Sequence, residues 1–244
     1  MDNASYLTDQ PFTDLDLAPE LIRGLETAGF SHCTQIQQLA LPLALAGKDV
    51  AGQAKTGTGK TAAFLLAIFN RLLRLSPHAE HGAKSVRAVV LAPTRELAIQ
   101  IHRDAVQLCQ HTALRMGLVY GGTGYQDQTE ALSHGVDILI GTPGRFIDFY
   151  KQGLFDLKGV QVLVLDEADR MFDLGFIRDI RYVLRRLPPP AERLNMLFSA
   201  TLSSRVNELA YEHMNDPISI QVESDTPVAD QLIEEVYYPA NEEK

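Results

Sequence analysis

Apolar residues gather in five runs of strand length, at 86–92, 116–120, 136–140, 160–165 and 194–198, and each leads into a segment of helical length. None of the five alternates with polar residues, as a strand with one wet face would. Continuous apolar strands separated by helices indicate a parallel sheet buried on both faces. A shorter strand, 49–52, precedes the longest helical pattern, 59–75. Ahead of it, residues 12–46 read as a helical flap, with Pro19 suited to a first helical turn, Gly29 to a helix stop, and 36–46 to a second helix. A last helix is expected near 203–211. The fold class is therefore α/β, a mostly parallel sheet with helices on both faces, and in such sheets ligands bind beyond the carboxyl ends of the strands.

With 244 residues, 45% hydrophobic and 22% charged, the composition is that of a globular protein and excludes collagen-like, mucin-like and disulfide-scaffold classes. Cys33 and Cys109 lie far apart in no metal spacing, and the first residues lack the basic and apolar regions of a signal peptide. Both features point to a reducing, cytoplasmic setting. No apolar run approaches the roughly 18 residues that span a bilayer, so no membrane partner is expected. His78 and His81 sit in a Pro/Glu/Gly loop with no third ligand in view and read as solvated. A net charge of -9 argues at first against a polyanionic partner, but the charge is uneven: from Glu223 onward seven acids face one lysine, leaving 24 acids against 21 bases in residues 1–222.

After the short strand comes Ala54-Lys55-Thr56-Gly57-Thr58-Gly59-Lys60-Thr61, in the strand, loop, helix context of a phosphate-binding loop. Gly57 and Gly59 let the backbone curl so that N–H groups converge on phosphate oxygens, and the following helix adds its positive end. Lys60 would reach the β- and γ-phosphates, and Thr61 would offer its hydroxyl to Mg²⁺. The run Val162-Leu163-Val164-Leu165 delivers Asp166-Glu167-Ala168-Asp169 to the same sheet edge. Adjacent carboxylates repel unless a cation lies between them, so Asp166 would hold Mg²⁺ and Glu167 would polarise the attacking water; the alternative is acidic capping of the next helix. Ser199 and Thr201, ending the last strand, either cap the following helix or hydrogen-bond Asp169 and report the state of the phosphate site. Arg178, Arg181, Arg185 and Arg186 read as a solvated basic face rather than an RNA or protein contact.

Six blocks now stand in a fixed order: 54–61, Pro93-Thr94-Arg95-Glu96-Leu97-Ala98, Gly121-Gly122, Thr142-Pro143-Gly144-Arg145, 166–169 and 199–201. In that order they resemble the DEAD-box RNA helicases over nearly the whole chain. Upstream, Gly29-Phe30 through Cys33-Thr34-Gln35-Ile36-Gln37 resembles the family's adenine-reading Q motif, with Phe12 seventeen residues before Gly29. Cys33 departs from the proline most members carry. That departure, with the segments 173–177 and 194–198, is most similar to a bacterial subgroup associated with an RNA degradosome.

The resemblance implies a RecA-like ATP-binding domain over 47–222, preceded by a Q-motif flap over 1–46 and followed by an acidic linker over 223–244 that starts a second RecA-like domain. It implies ATP and Mg²⁺ as ligands, with Lys60, Asp166 and Glu167 catalytic and Asp169, Ser199 and Thr201 coupling. Gln37 would read adenine through its amide and Phe12 would stack on the ring. Pro93, Thr94, Arg95, Gly121, Gly122, Thr142, Pro143, Gly144 and Arg145 would form a platform for the RNA backbone, blind to base sequence. The family's arginine finger and half of its RNA site come from the second domain. These residues alone would thus bind ATP yet hydrolyse little, and a degradosome ribonuclease scaffold would dock mainly elsewhere on the full protein. A phosphate-loop kinase or GTPase is the competing enzyme class, although no Asn-Lys-x-Asp guanine reader is present; a pure interaction module is the non-enzymatic one.

Overall fold

A computed structural model describes residues 7–77, 82, 84–122 and 124–222. Its order is β1 (Leu7–Pro11), a short 3-10 turn, α1 (Pro19–Ala28), β2 (His32–Thr34), α2 (Gln35–Leu45), β3 (Val50–Gln53), α3 (Lys60–Arg74), β4 (Ala88–Leu91), α4 (Arg95–Leu108), β5 (Met116–Val119), α5 (Tyr125–Ser133), β6 (Ile138–Gly141), α6 (Pro143–Lys151), β7 (Val162–Leu165), α7 (Ala168–Asp173), α8 (Ile177–Leu184), β8 (Leu194–Ser199), α9 (Ser204–His213) and β9 (Ile218–Gln221). Seven strands pair in the order β5-β6-β4-β7-β8-β3-β9, and every pairing is parallel.

The apolar runs are continuous because alternate residues enter different cores. Ala88, Val90, Ile138, Ile140, Val162, Val164, Met196 and Phe198 face one cluster, shared with Leu21, Phe64 and Ala98 from α1, α3 and α4. Val89, Leu91, Leu139, Leu163, Leu165 and Leu197 face the other, shared with Phe146, Met171, Ile180 and Val206 from α6 to α9. A strand buried on both sides has no polar face to show.

The flap carries more than helices. β1 and β2 form an antiparallel ribbon, and Phe12, Leu21, Leu25, Ile36 and Leu41 enter the same cluster as the sheet. β1, β2 and β9 lie outside the strands expected from the sequence. They are short, half exposed and bear polar residues, so no apolar run marks them. The solvated basic face expected of Arg178, Arg181, Arg185 and Arg186 is corrected in part: Arg178 and Arg185 are exposed, but Arg181 is ion-paired to Glu208 and Glu212 of α9 at 3.2 and 3.1 Å, and Arg186 lies 3.3 Å from the Tyr182 ring centroid. Among the described residues no helix is long and apolar enough to cross a membrane. His78, His81 and residues 223–244 lie outside the described residues.

Gly24 marks where α1 crosses α4. A Cβ there would stand 2.1 Å from the Leu108 carbonyl oxygen, so Gly24→Ala must push two packed helices apart. We expect a loss of about 3 kcal/mol, or roughly 6–12 °C in melting temperature, readable by calorimetry.

Candidate functional site

Because all seven strands are parallel, every segment that follows a strand leaves on one edge. Strand order then sorts the motifs. The neighbours β7, β8 and β3 deliver 166–169, 199–201 and 54–61, whereas the neighbours β4, β6 and β5 deliver 93–95, 142–145 and 121–122. The two groups meet where β4 pairs with β7.

In the first group, Ala54 is buried and its N–H donates to the Ser199 carbonyl at 2.9 Å, which fixes the root of the loop to β8. Lys55, Thr56 and Gly57 are exposed, and the Thr58 hydroxyl donates to the Lys55 carbonyl at 2.8 Å. Gly59 takes φ 92°, a left-handed geometry that favours glycine. A Cβ there would also meet Gln37 Nε2 at 2.7 Å and Thr34 Oγ1 at 2.8 Å. Lys60 opens α3 and is 4% exposed; its ammonium lies 3.0 Å from Asp166 Oδ1 and 3.9 Å from Glu167 Oε1. Thr61 follows it in the first helical turn, half-buried.

Asp166 is wholly buried. Burial pushes its carboxyl above the ordinary value, against the opposing pull of Lys60. Oδ1 accepts the Glu167 N–H at 2.9 Å, and Oδ2 is buried without a hydrogen-bond partner. Glu167 occupies the left-handed region at φ 52°, ψ 53° without making a capping bond, a strained geometry that costs on the order of 1–3 kcal/mol for a non-glycine residue. Thr56 Oγ1 donates to its Oε1 at 3.1 Å, and Arg170 holds its Oε2 at 3.3 Å. Neither carboxylate caps α7, so the capping alternative does not describe this edge.

Ser199 and Thr201 do not cap the helix that follows them, α9; Ser203 does, accepting the Val206 N–H. Instead the Asp169 N–H donates to Ser199 Oγ at 3.2 Å, and Thr201 donates to Asp169 Oδ2 from its N–H at 3.0 Å and its hydroxyl at 3.1 Å. Burial alone would raise the Asp169 carboxyl, but the contacts with Ser199, Arg170 and Thr201 outweigh it and hold the carboxyl below its ordinary value. The linked stability is full above the unfolded Asp value of about 4 and is lost as pH falls through the folded value. Asp169→Asn should therefore flatten the acid limb of a urea-unfolding stability profile; an unchanged limb would mean these hydrogen bonds contribute nothing.

Gln37 is 5% exposed. Its Oε1 accepts the Thr34 N–H at 2.8 Å, closing a capping box, and its Nε2 donates to the Gly59 carbonyl at 2.9 Å. One amide hydrogen and one lone pair are left for a ligand. The Thr34-x-x-Gln37 spacing is itself a capping-box signal, so this role was readable from the sequence. Phe12 sits in the core cluster at 3% exposure, as an anchor of the flap. Presenting a ring face to a base requires this segment to shift.

In the second group, Pro93 is buried, and Thr94 caps α4 by accepting the Leu97 N–H at 3.3 Å. Thr142 and Pro143 start α6, Thr142 without a side-chain capping bond. Helix geometry leaves the N–H groups of Arg95 and Glu96 in α4, and of Gly144 and Arg145 in α6, without an intrahelical partner at the helix ends. Gly144 is open, and Gly121 and Gly122 are exposed, Gly122 beside Arg95. Arg95 lies over the Tyr120 ring and Arg145 over Tyr125 and Phe149; sequence reasoning missed all three aromatic partners.

Residues 34–209 match the DEAD/DEAH box helicase family. "ATP-dependent RNA helicase RhlB" of Pseudoalteromonas atlantica is 57% identical over 240 residues, 98% of this chain and 56% of the relative. The protein of that name from Pectobacterium carotovorum is likewise 57% identical over 240 residues. A crystal structure of a DEAD box protein from the hyperthermophile Methanococcus jannaschii superposes with a TM-score of 0.78 at 33% identity, covering 87% of this chain and 56% of that one. The chain thus spans about half the length of the curated relatives it matches, and the expected RecA-like fold is the one observed. The ordered motifs, their sorting along one sheet edge and the match over 34–209 agree: the chain belongs to the DEAD/DEAH box helicase family.

Proposed function

We propose that this chain is the ATP-binding half of an ATP-dependent RNA helicase, with ATP held at the ends of β3, β7 and β8 and the RNA backbone at the ends of β4, β5 and β6. The carrying observation is the division of one sheet edge into a phosphate loop with buried carboxylates and a platform of helix N-termini with arginines. In this reading Lys60 leaves Asp166 for the β- and γ-phosphates, and the loop N–H groups from Lys55 to Gly59 cradle them. Glu167, aimed by Thr56 and Arg170, orients the attacking water and accepts its proton. Gln37 reads adenine with its spare donor and acceptor, and Asp169, Ser199 and Thr201 pass the state of the phosphate site along the edge.

Mg²⁺ fits the site. The unpartnered Asp166 Oδ2 and the Thr61 hydroxyl are hard oxygen donors, and no cluster of three His, Cys, Asp or Glu among the described residues could hold an ion alone. Its remaining ligands would be nucleotide and water oxygens, and when bound it would neutralise charge growing on the phosphates.

The same reading assigns a second RecA-like domain to the rest of the full protein, supplying the arginine that completes the site. In that setting the protein would act in the cytoplasm on mRNA undergoing degradation, beside a ribonuclease scaffold. The 244 residues alone should bind ATP and turn it over at most slowly, since a missing arginine finger costs about 10³-fold or more. Displacement of a fluorescent ADP analogue tests base choice: GTP should compete at least about tenfold more weakly than ATP. Equal competition would favour the GTPase or kinase class. In the full protein, Glu167→Gln should keep ATP affinity and abolish RNA-stimulated turnover; surviving turnover would remove Glu167 from the mechanism.

RNA binding should depend only shallowly on salt. Helix N-termini release no counterions, and two arginines give a slope near 1.5 in log affinity against log salt, at roughly 0.7 per single-strand phosphate. A slope of 4 or more would demand a lysine-rich surface that the described platform lacks.

A further inference from the structure

The loop between β5 and α5 begins at Tyr120, passes Gly121 and Gly122, and ends at Tyr125, the first residue of α5. Each tyrosine lies against one platform arginine. The Arg95 guanidinium carbon is 4.8 Å from the Tyr120 ring centroid. That of Arg145 is 5.0 Å from Tyr125 and 5.2 Å from Phe149, and these two rings meet edge to face at 4.9 Å. Gln128, 8% exposed, fixes Tyr120 in turn: its Oε1 accepts the Tyr120 N–H at 3.0 Å and its Nε2 donates to the Tyr120 carbonyl at 3.2 Å. The amide takes the place of a neighbouring strand's peptide where β5 stops.

Ring faces hold these arginines, as Tyr182 holds Arg186, whereas carboxylates hold several others. Arg74, Arg115, Arg170 and Arg181 are ion-paired to carboxylates. Arg95 and Arg145 form no ion pair among the described residues, and Arg145 Nη1 is buried without a hydrogen-bond partner. A carboxylate would orient an arginine by consuming its donors and its charge, both of which a phosphate would then have to win back. A ring face orients the guanidinium plane while leaving the N–H edge and the charge for an incoming anion.

We infer that Tyr120 and Tyr125 are positioning residues for RNA: they aim Arg95 and Arg145 at backbone phosphates without neutralising them, and Gln128 holds Tyr120 in register. This rests on the reading of the platform as an RNA site. The two tyrosines flank Gly121 and Gly122 in the sequence, and one lies against each platform arginine.

The test is a double-mutant cycle, read as the affinity of this chain for a fluorescein-labelled oligo-U strand by anisotropy at low salt, with melting curves to confirm that each variant folds. Arg95→Ala should weaken binding about tenfold and lower the salt slope by roughly 0.7. Tyr120→Leu should weaken it about threefold to fivefold, the worth of one such stacking contact, and Tyr120→Phe should restore it. On the Arg95→Ala background Tyr120→Leu should cost nothing further, and Tyr125→Leu should behave in the same way with Arg145→Ala. Equal losses from Tyr120→Leu with and without Arg95, or no loss at all, would overturn the positioning role. An Arg95→Ala variant that binds as the parent does, or a parent that binds no RNA, would instead remove the platform reading and the inference with it.

Discussion

Replacing Lys60 with methionine should lower ATP affinity by about tenfold to a hundredfold and make the stability of the fold steeply dependent on pH. The first effect follows from losing a charge-assisted contact to phosphate, worth about 1.5–3 kcal/mol. The second follows from what Lys60 does without nucleotide: its ammonium, 3.0 Å from Asp166 and 4% exposed, is the nearest countercharge to a fully buried carboxylate that Glu167 also repels. Removing one partner of such a pair costs about 3 kcal/mol or more at neutral pH. The Asp166 carboxyl, already raised by burial, would rise further. A group whose folded value lies above its unfolded one confers stability below the unfolded value and loses it as pH rises through the folded value. Lys60→Met should therefore melt far below the parent at neutral pH and approach it as pH falls. Adding Asp166→Asn should restore most of the stability and none of the affinity. If the double variant regained nucleotide binding, the lysine would be acting only to neutralise Asp166.

In the proposed function, the split of the sheet edge would let one small domain respond to two polyanions. The acidic pair would serve the nucleotide half and Arg95 and Arg145, which form no ion pair among the described residues, would serve the other half, so that neither set of charges cancels the other. Asp169 belongs to α7 on the nucleotide side, and Ser199 and Thr201 to the adjoining strand end. In the proposed function, a rearrangement at the γ-phosphate that moves Glu167 would act on α7, because Glu167 occupies the position at which that helix begins. The strain at Glu167 makes this junction a natural point for such a rearrangement.

Much of this was legible in the chain because its determinants are local. A parallel strand buried on both faces is an apolar run, and the phosphate loop carries its glycines, lysine and threonine within eight positions; 86–92, 160–165 and 54–61 fall on β4, β7 and the loop before α3. The arginine supports were not legible. Arg95 meets Tyr120, and Arg145 meets Tyr125, only once the order β5-β6-β4 sets three strand ends side by side, and no spacing rule spans those separations. The ribbon of β1 and β2 escaped for another reason: its residues alternate in burial too weakly to leave a pattern.

Asp49→Ala should be among the most destabilising substitutions available, lowering the melting temperature by roughly 6–20 °C, although local sequence gives no hint of it. The sequence places Asp49 at the start of the short strand 49–52, where nothing marks its carboxylate as buried. The structure places it at the amino end of β3, 3% exposed, where Oδ1 accepts the Asn195 N–H at 2.8 Å and Oδ2 accepts Asn195 Nδ2 and the Asn215 N–H, each at 2.7 Å. Arg193, 4% exposed, completes the network by donating to Asn195 Oδ1 at 2.6 Å and to the His213 carbonyl at 3.0 Å. Burial pushes the Arg193 guanidinium down to about 10, against the opposing influence of Asp49. One carboxylate thus ties the starts of β3 and β8 to the segment that enters β9, joining residues 146 positions apart. Truncation would orphan the buried Asn195 N–H, take an acceptor from the Asn215 N–H and from Asn195 Nδ2 (which keeps the Pro190 and Arg193 carbonyls), and deprive a buried arginine of its nearest negative charge, a loss of about 3–5 kcal/mol, which the usual 2–4 °C per kcal/mol converts to the stated range. Asp49→Asn should recover only part of it, since one amide nitrogen would then face a donor. Because the network lies at the strand ends opposite Lys60, the folded fraction of either variant should bind ATP as the parent does; a melting temperature within 2 °C of the parent would show that the neighbouring donors find water instead.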